Sequence, residues 1–197
     1  MNQKGGVGKT TTAVNVAAQL ATGKRRVLLL DLDPQGNATS SIGIDKTQVS
    51  ATLYDVLLRR AGLKDVVLQG SNKNLYVAPA NANLAGAEVD LVSVLAREMQ
   101  LKNALAEVDY DVVIIDCPPA LGLLTINALV AANSVLIPVQ AEYFALEGLG
   151  QLLNTIQLVR QGLNPGLEIL GVVLTMFNKR MVLSEQVQAE VAGHFGG

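Results

Sequence analysis

The chain has 197 residues, of which half are hydrophobic and 16% are charged, with a formal net charge of −2. This length suits one domain with a large core, and this composition excludes an intrinsically disordered chain. The near-neutral charge excludes DNA binding through a whole-protein field, so contact with nucleic acid would need a local basic patch. A single cysteine and a single histidine exclude an internal disulfide and a Cys/His metal site.

The cellular compartment also follows from the sequence as an expectation. No apolar run approaches the ~20 residues that span a bilayer. The amino terminus lacks a basic-then-apolar signal pattern, and a lone cysteine fits a reducing compartment. We therefore expect a cytoplasmic protein that folds as one domain over residues 1–197.

Short apolar segments alternate along the chain with longer amphipathic ones. The predicted strands, in chain order, are 26–31, 75–79, 111–116, 134–139 and 168–177. The predicted helices are 9–22, 52–61, 87–108, 122–132, 145–162 and 183–195. This alternation predicts an α/β fold, a mostly parallel central sheet with helices on both faces. Thr52, followed three residues later by Asp55, predicts a capped helix start.

Residues 4–11, KGGVGKTT, run directly into an Ala-rich predicted helix. Glycines let backbone N–H groups converge on phosphate oxygens, and the helix start adds the positive end of its dipole. Lys9 can reach the β- and γ-phosphates of a nucleotide, and the Thr10 hydroxyl can ligate Mg²⁺. The predicted nucleotide-binding residues here are Lys4, Gly5, Gly6, Val7, Gly8, Lys9, Thr10 and Thr11.

This loop departs from the standard G-x-x-x-x-G-K-[ST] motif. Gln3 stands where the first glycine would fall, and an extra lysine, Lys4, stands just ahead of the loop. The sequence therefore predicts a deviant P-loop NTPase. The alternative is a flexible glycine-rich turn that caps a helix, but four specified positions with a following helix rarely coincide by accident.

Three aspartates fall where predicted strands end. Asp31 ends the 26–31 strand, Asp33 follows it by two residues, and Asp116 ends the 111–116 strand. Ligands of parallel sheets collect at this edge. A Mg²⁺–nucleotide needs one carboxylate to hold the metal's water shell and another to orient the attacking water. We predict Thr10, Asp33 and Asp116 as metal ligands. Each aspartate alone could be a solvated turn or cap, but all three together beside a phosphate loop make that reading weak.

Four segments carry a resemblance to a known family: KGGVGKTTT, DLDPQGNATS, DCPPALGLLTINAL and PVQAEYFALEGL. Together they resemble the ParA/Soj family of chromosome- and plasmid-partitioning ATPases, and the similarity covers nearly the whole chain. The resemblance implies ATP and Mg²⁺ as cofactors and an ATP sandwich dimer that binds DNA non-specifically. It also implies a ParB/Spo0J-like centromere-binding partner that stimulates hydrolysis, a location on the nucleoid and no stable membrane association.

The resemblance also implies roles for individual residues of the loop. Lys4 resembles the signature lysine that reaches across the dimer to the other subunit's phosphates. Lys9 and Thr10 match the phosphate-binding lysine and the magnesium ligand. We therefore assign Lys4, Lys9 and, from the next motif, Asp33 to catalysis.

Further roles follow from the other matching segments. Asp33 matches the aspartate that positions the hydrolytic water, with Asp31 in support. Asp116 matches the Walker-B position, and residues 117–119 match the switch that senses the γ-phosphate. Asn178 stands where deviant P-loop ATPases often place a contact to adenine.

Basic residues occur in three short clusters, at 24–26, 59–60 and 179–180. Most surface charges are merely solvated. Lys179 and Arg180 are the predicted DNA-binding residues, because they follow a strand and Arg180 resembles an arginine of the family's DNA-binding region.

Several readings stay open. Relative to the family, we expect the chain to lack the first strand, ahead of the loop, and the carboxyl-terminal elements. A MinD-like membrane-cycling or a cargo-positioning ATPase is an alternative within the fold. A small-molecule ligase resembling dethiobiotin synthetase and a nucleotide-dependent regulatory binder are alternatives from other classes. An iron–sulfur reductase would need bridging cysteines, which the lone Cys117 excludes.

Overall fold

The computed structural model describes residues 6–70, 72–142 and 145–195. The strands are β1 (Val27–Asp31), β2 (Leu68–Gln69), β3 (Leu75–Ala78), β4 (Val112–Asp116), β5 (Ser134–Gln140) and β6 (Glu168–Thr175). The α-helices are α1 (Lys9–Leu20), α2 (Asn37–Ser41), α3 (Leu53–Leu57), α4 (Leu63–Val66), α5 (Ala87–Asp90), α6 (Gln100–Leu105), α7 (Leu123–Ala131), α8 (Ala145–Gly162) and α9 (Val182–Phe195). Short 3₁₀ turns occupy Ala82–Gly86, Leu91–Ser93 and Arg97–Met99.

Strand β1 lies at the centre of a four-stranded sheet with the order β2-β3-β1-β4. It runs parallel to β3 and β4, and β2 adds an antiparallel edge. The pairing of β1 with β4 places Asp31 directly opposite Asp116, so these two aspartates lie at the same edge of the sheet. The predicted convergence of the strand-end aspartates is thereby confirmed for this pair.

Two apolar clusters cover the faces of this sheet. Leu28 and Leu30 of β1 belong to one cluster, and Val27 and Leu29 belong to the other, which also contains Ala17 of α1. Successive side chains of a strand point to opposite faces, so β1 is buried on both sides. The α/β class with helices on both faces of a mostly parallel sheet is confirmed.

Strands β5 and β6 form a separate parallel pair and are not hydrogen-bonded to the larger sheet. Between β4 and β5 lies a cavity of about 450 Å³, lined by both strands and by residues of α1 and α7. No described strand pairs with the edge of β4 that faces this cavity, and Val112–Ile115 are only half-buried. Among the described residues, the mostly parallel strands therefore form two hydrogen-bonded groups with a gap between them.

Most predicted elements are found within a few residues of their expected limits, but the predicted helix 87–108 is wrong. The structure breaks it into α5, two 3₁₀ turns and α6. The break falls where Val94 is extended and Ala96 takes a φ of 52°. Gln100 stabilises it, since its buried side-chain amide donates to the carbonyls of Leu95 and Ala96.

The helix predicted over 52–61 is shorter than expected. Its start is confirmed: Thr52 and Asp55 form the capping box that their spacing predicts. Its end comes early because Arg59 adopts a φ of 58°, which stops helical hydrogen bonding. The small elements α2, α4 and β2 were not predicted, since four- or five-residue helices and two-residue strands leave too short a hydrophobic pattern.

Candidate nucleotide-binding site

The glycine-rich loop leads directly into α1. Gly6 and Gly8 have φ angles of 80° and 87°, a region that favours residues without a Cβ. Helix α1 then begins at Lys9 without a side-chain cap, so its first backbone N–H groups have no intrahelical acceptor and point towards the loop. This is the geometry that binds phosphate. The predicted residues Lys4 and Gly5 lie outside the described part of the chain.

The end of β6 holds this loop in place. The Thr175 hydroxyl donates to the Val7 carbonyl at 2.8 Å, across 168 residues of sequence. A Cβ added to Gly8 would lie 3.3 Å from the Thr175 methyl carbon, so the two segments pack closely. Sequence reasoning missed Thr175, because a threonine at a strand end carries no local signal of such a contact.

Lys9 lies among the acidic groups at the edge of the sheet. Burial lowers the pKa of its amine below the ordinary value of 10.5, while the carboxylates of Asp116 and Asp33 oppose that shift. A lysine in this position remains a cation when its surroundings are anionic, and it can neutralise phosphate oxygens. The structure therefore brings together the predicted lysine and two of the predicted acids.

Asp116 is buried and only partly satisfied. Its Oδ2 has no hydrogen-bond partner among the described residues. Burial raises the pKa of this carboxyl to about 6, opposed by a hydrogen bond from the Thr10 side chain, and nearby Asp31 raises it further. A buried carboxylate oxygen without a partner is costly, and a cation at this point would satisfy it.

The residues present fit Mg²⁺. Among the described residues, no three acidic, histidine or cysteine side chains could hold a metal ion by themselves. Mg²⁺ characteristically binds one or two protein ligands and takes the rest from phosphate and water. Asp116 with its unsatisfied oxygen, and Thr10 bonded to it, match that donor set.

Asp31 organises the neighbouring loop. Its carboxylate is fully buried and accepts hydrogen bonds from the Thr39 N–H and hydroxyl, both at 2.7 Å, and from the Asp33 N–H at 3.3 Å. The Thr39 hydroxyl oxygen also accepts from the Ala80 N–H at 3.0 Å, which ties the loop to the end of β3. With its oxygens engaged in this way, Asp31 positions Asp33.

Asp33 follows the end of β1 by two residues and is half-buried. Its Oδ1 accepts the Gln35 N–H at 2.9 Å. Gly36 follows with a φ of 61°, and a Cβ there would lie 2.8 Å from the Ala80 carbonyl oxygen. Lys46 donates from its amine to the Gln35 carbonyl. Sequence reasoning missed the contacts of Thr39, which lies within the 31–40 segment, and of Lys46, which lies outside it.

The remaining predicted residues are exposed. Thr11 is on the solvent side of α1. Asn178 follows β6 by three residues, and its Oδ1 accepts the Arg180 N–H at 3.0 Å, which forms the turn before α9. Lys179 and Arg180 are both exposed beside it. Cys117 plays no ionic role, since burial raises the pKa of its thiol to about 12.

Replacing Asp116 by asparagine should stabilise the protein in the absence of nucleotide and Mg²⁺. The pKa of Asp116 lies at about 6 in the folded state against 3.8 ordinarily, so the folded state holds the extra proton between these values. The free energy of unfolding of the wild type should fall as pH rises through this window, by on the order of 3 kcal/mol. Urea unfolding of both proteins from pH 4 to pH 7.5 measures the difference.

The asparagine variant should show no such fall, so its advantage should be small near pH 4 and largest above pH 6. Mg²⁺ and ATP should reverse the order, because they stabilise only the wild type by mass action. Parallel curves for the two proteins at all pH values would contradict the assignment of this carboxyl as the buried, unsatisfied group.

Fold and site together define a P-loop nucleotide-binding protein. A family model described as an AAA domain matches residues 1–169. The chain is 57% identical over 196 residues to the sporulation initiation inhibitor protein Soj of Bacillus subtilis, covering 98% of this chain and 78% of that protein. It is 54% identical over 196 residues to the chromosome partitioning protein ParA of Myxococcus xanthus, covering 98% of this chain and 69% of that protein. The chain belongs to the ParA/Soj family of chromosome-partitioning ATPases.

A solved structure agrees with this fold. Cobyrinic acid a,c-diamide synthase from Mycobacterium smegmatis, with a bound ATP analogue and magnesium, has a TM-score of 0.93 at 44% identity, covering 100% of this chain and 81% of that chain. Adenine nucleotide and Mg²⁺ therefore occur together in a protein of closely similar structure. Among the described residues of our chain, no helix has the length and apolar character needed to cross a membrane.

Proposed function

We propose that the protein partitions DNA by binding ATP and Mg²⁺, closing a dimer around two nucleotides, and holding DNA without sequence preference while dimeric. A ParB-type centromere-binding protein stimulates hydrolysis and so releases the DNA. The protein works in the cytoplasm on the nucleoid, without stable membrane association. One observation carries the proposal: a glycine loop, Lys9 and the unsatisfied Asp116 oxygen meet at one sheet edge, in a chain 57% identical to Soj.

Each residue of the site has a chemical task. The loop N–H groups and the start of α1 bind the β- and γ-phosphates, and Lys9 neutralises their charge. Thr10, Asp33 and Asp116 would hold Mg²⁺, which when bound would neutralise the phosphates further. Asp33 orients the attacking water, and Asp31 keeps Asp33 in place through its buried carboxylate. Asn178, after the turn that follows β6, contacts the adenine.

The dimer needs a cation from the second copy. Two ATP molecules at one interface bring many negative charges together, which is costly unless cations neutralise them. Lys4, supplied in trans, provides that charge only when nucleotide is present. ATP thereby becomes a dimerisation switch, and Lys4 also places positive charge near the transferring phosphoryl group. This role rests on the family resemblance, since Lys4 lies outside the described residues.

Reversing the charge of Arg180 should weaken DNA binding. Arg180 and Lys179 are exposed, whereas Arg26 stacks on Tyr76 and Tyr110 and Arg60 stacks on Tyr54. If a dimer neutralises about six phosphates, log affinity should fall with log salt at a slope of about −5.

The variant Arg180→Glu should flatten this slope by about 2 in the dimer and lower affinity at least about 10-fold at low salt. Fluorescence anisotropy with a labelled DNA duplex in ATP and Mg²⁺ measures both quantities. Arg25→Glu makes the same charge change at another exposed site and serves as the matched control. Equal losses in both variants would show a general charge effect and remove Arg180 from the DNA surface.

Turnover and cosedimentation together test the proposed function. ATP hydrolysis is measured alone, with plasmid DNA, and with DNA plus the cognate ParB-type protein. Pelleting is measured with plasmid DNA and with anionic liposomes, each with and without ATP. ATP-dependent pelleting with DNA and partner-stimulated hydrolysis are the expected results. Pelleting with liposomes instead of DNA would favour the membrane-cycling alternative, and no ATP binding at all would end the proposal.

An amide-forming ligase is the second candidate, because the similar M. smegmatis structure is a diamide synthase by name. Such an enzyme would couple ATP hydrolysis to a carboxylic acid and an amine donor, and would not respond to DNA. Adding a cobyrinic-acid-type substrate and an ammonia source to the same assay separates the candidates. Stimulation by these compounds and not by DNA would favour the ligase.

A further inference from the structure

Glu88 of α5 reaches across the fold to the start of α7. Its Oε2 accepts the Leu123 N–H at 2.8 Å, and its Oε1 accepts the Leu124 N–H at 3.2 Å. Helix α7 has no side-chain cap of its own, because Gly122 stands at the cap position. The first N–H groups of a helix need acceptors and favour negative charge. Glu88, 35 residues away in sequence, supplies both.

Gly122 is explained by this contact. Its backbone, with φ of −91° and ψ of −166°, is extended and open to any residue. A Cβ at this position would overlap the Glu88 carboxylate, so the space for a side chain is already taken. Glycine therefore stands here because Glu88 caps the helix from a distance.

The helix start that Glu88 holds is also the end of loop 117–122, which begins directly after Asp116. At the first end of this loop, the Asp116 carbonyl accepts the Leu32 N–H at 2.8 Å. At the second end, the Thr125 hydroxyl donates to the Ala120 carbonyl at 2.7 Å. Two consecutive prolines fix φ between these ends. The position of the first turn of α7 therefore sets where the loop backbone lies beside Asp116.

Helix α5, which carries Glu88, is itself held in place by contacts with the rest of the fold. Asp90, in the same short helix as Glu88, accepts a hydrogen bond from the Tyr54 hydroxyl at 2.6 Å. Ala87 and Leu91 are fully buried on either side of them. Glu88 thus connects a fixed segment, which follows the end of β3, to the loop that follows the end of β4.

We propose that Glu88 is a positioning residue for ATP hydrolysis. Its hydrogen bonds link α7 to α5. This link keeps the backbone of loop 117–122 in the position where it contacts the γ-phosphate beside Asp116. This inference rests on the proposed ATPase function. Glu88 touches neither nucleotide nor the attacking water, so its loss should change the rate of turnover more than the binding of ATP.

The experiment distinguishes two effects of Glu88: the capping of α7 and the link that it forms between α5 and α7. Glu88→Ala removes both, and the double variant Glu88→Ala with Gly122→Ser restores a local cap in the space the carboxylate leaves. Serine suits this extended cap position, and its hydroxyl accepts an N–H of the first helical turn. The Tm of the full chain, the KM for ATP and kcat are measured for the wild type and each variant.

The double variant should regain most of the Tm lost in Glu88→Ala, while its kcat stays at least about 10-fold below wild type and its KM changes by less than about 3-fold. Glu88→Gln, which can still accept one N–H through its amide oxygen, should have an intermediate kcat. Wild-type kcat in the double variant, or in Glu88→Ala itself, would overturn the inference, since capping alone would then suffice. A wild type without any turnover would instead end the proposed function, and this inference with it.

Discussion

Replacing Lys9 by alanine is expected to abolish ATP binding while leaving the fold intact. The amine lies between the acidic edge of the sheet and the start of α1, and its pKa is lowered by burial but supported by Asp116 and Asp33. Without it, the phosphates would face these two carboxylates with one cation fewer. A charge-assisted contact to phosphate is strong, so the affinity should fall at least about 100-fold, or about 2.8 kcal/mol.

Isothermal titration with a non-hydrolysable ATP analogue and Mg²⁺ measures this loss. Lys73→Ala removes the same charge from an exposed position remote from the loop and should bind as the wild type does. Far-UV circular dichroism checks that both variants are folded. Wild-type affinity in the Lys9 variant would mean that the nucleotide does not lie on this loop.

The sequence reveals the phosphate loop and the strand-end acids because their chemistry is local. Glycines with φ near +80° and a lysine at the start of a helix form within one short segment. Asp31 and Asp116 meet because each closes a buried strand, and parallel strands bring their ends to one edge. Both features depend on residue types and on strand direction, which a sequence pattern records.

The side chains that hold the site in place could not be predicted from the local sequence. Thr175 contacts the loop across 168 residues, and Glu88 reaches α7 across 35. Lys46 contacts the Gln35 carbonyl from a separate exposed turn. These side chains are ordinary polar residues in their local sequence, and only the tertiary fold gives them partners.

The same limit applies to the sheet. Five strands were located from their apolar segments, but these segments do not predict which strands pair with each other. The structure pairs β4 with β1 and β5 with β6, and leaves a cavity of about 450 Å³ between the two sheets. The predicted helix 87–108 failed for a related reason, since Gln100 forms its bonds to the carbonyls of Leu95 and Ala96 only in the folded chain.

Replacing Asp33 by alanine is expected to leave ATP binding and ATP-dependent dimer formation in place but to stop turnover. The loop does not depend on this side chain alone: the Asp33 N–H donates to Asp31, and the Asp33 carbonyl accepts the Gly36 N–H at 2.9 Å. The carboxylate is the group that orients and polarises the attacking water. Loss of such a group typically costs about 100- to 10,000-fold in rate.

Asp33→Asn sharpens this prediction, because its side-chain oxygen can still accept the Gln35 N–H that Asp33 binds at 2.9 Å. The asparagine variant should therefore keep the loop conformation and still lose turnover at least about 100-fold. Phosphate release under single-turnover conditions and sedimentation velocity with ATP and Mg²⁺ measure rate and dimer separately. The control Asp109→Asn removes an exposed carboxylate elsewhere and should hydrolyse ATP normally. Normal hydrolysis by both Asp33 variants would assign the attacking water to another residue, and failure of both to bind ATP would make Asp33 a binding group instead.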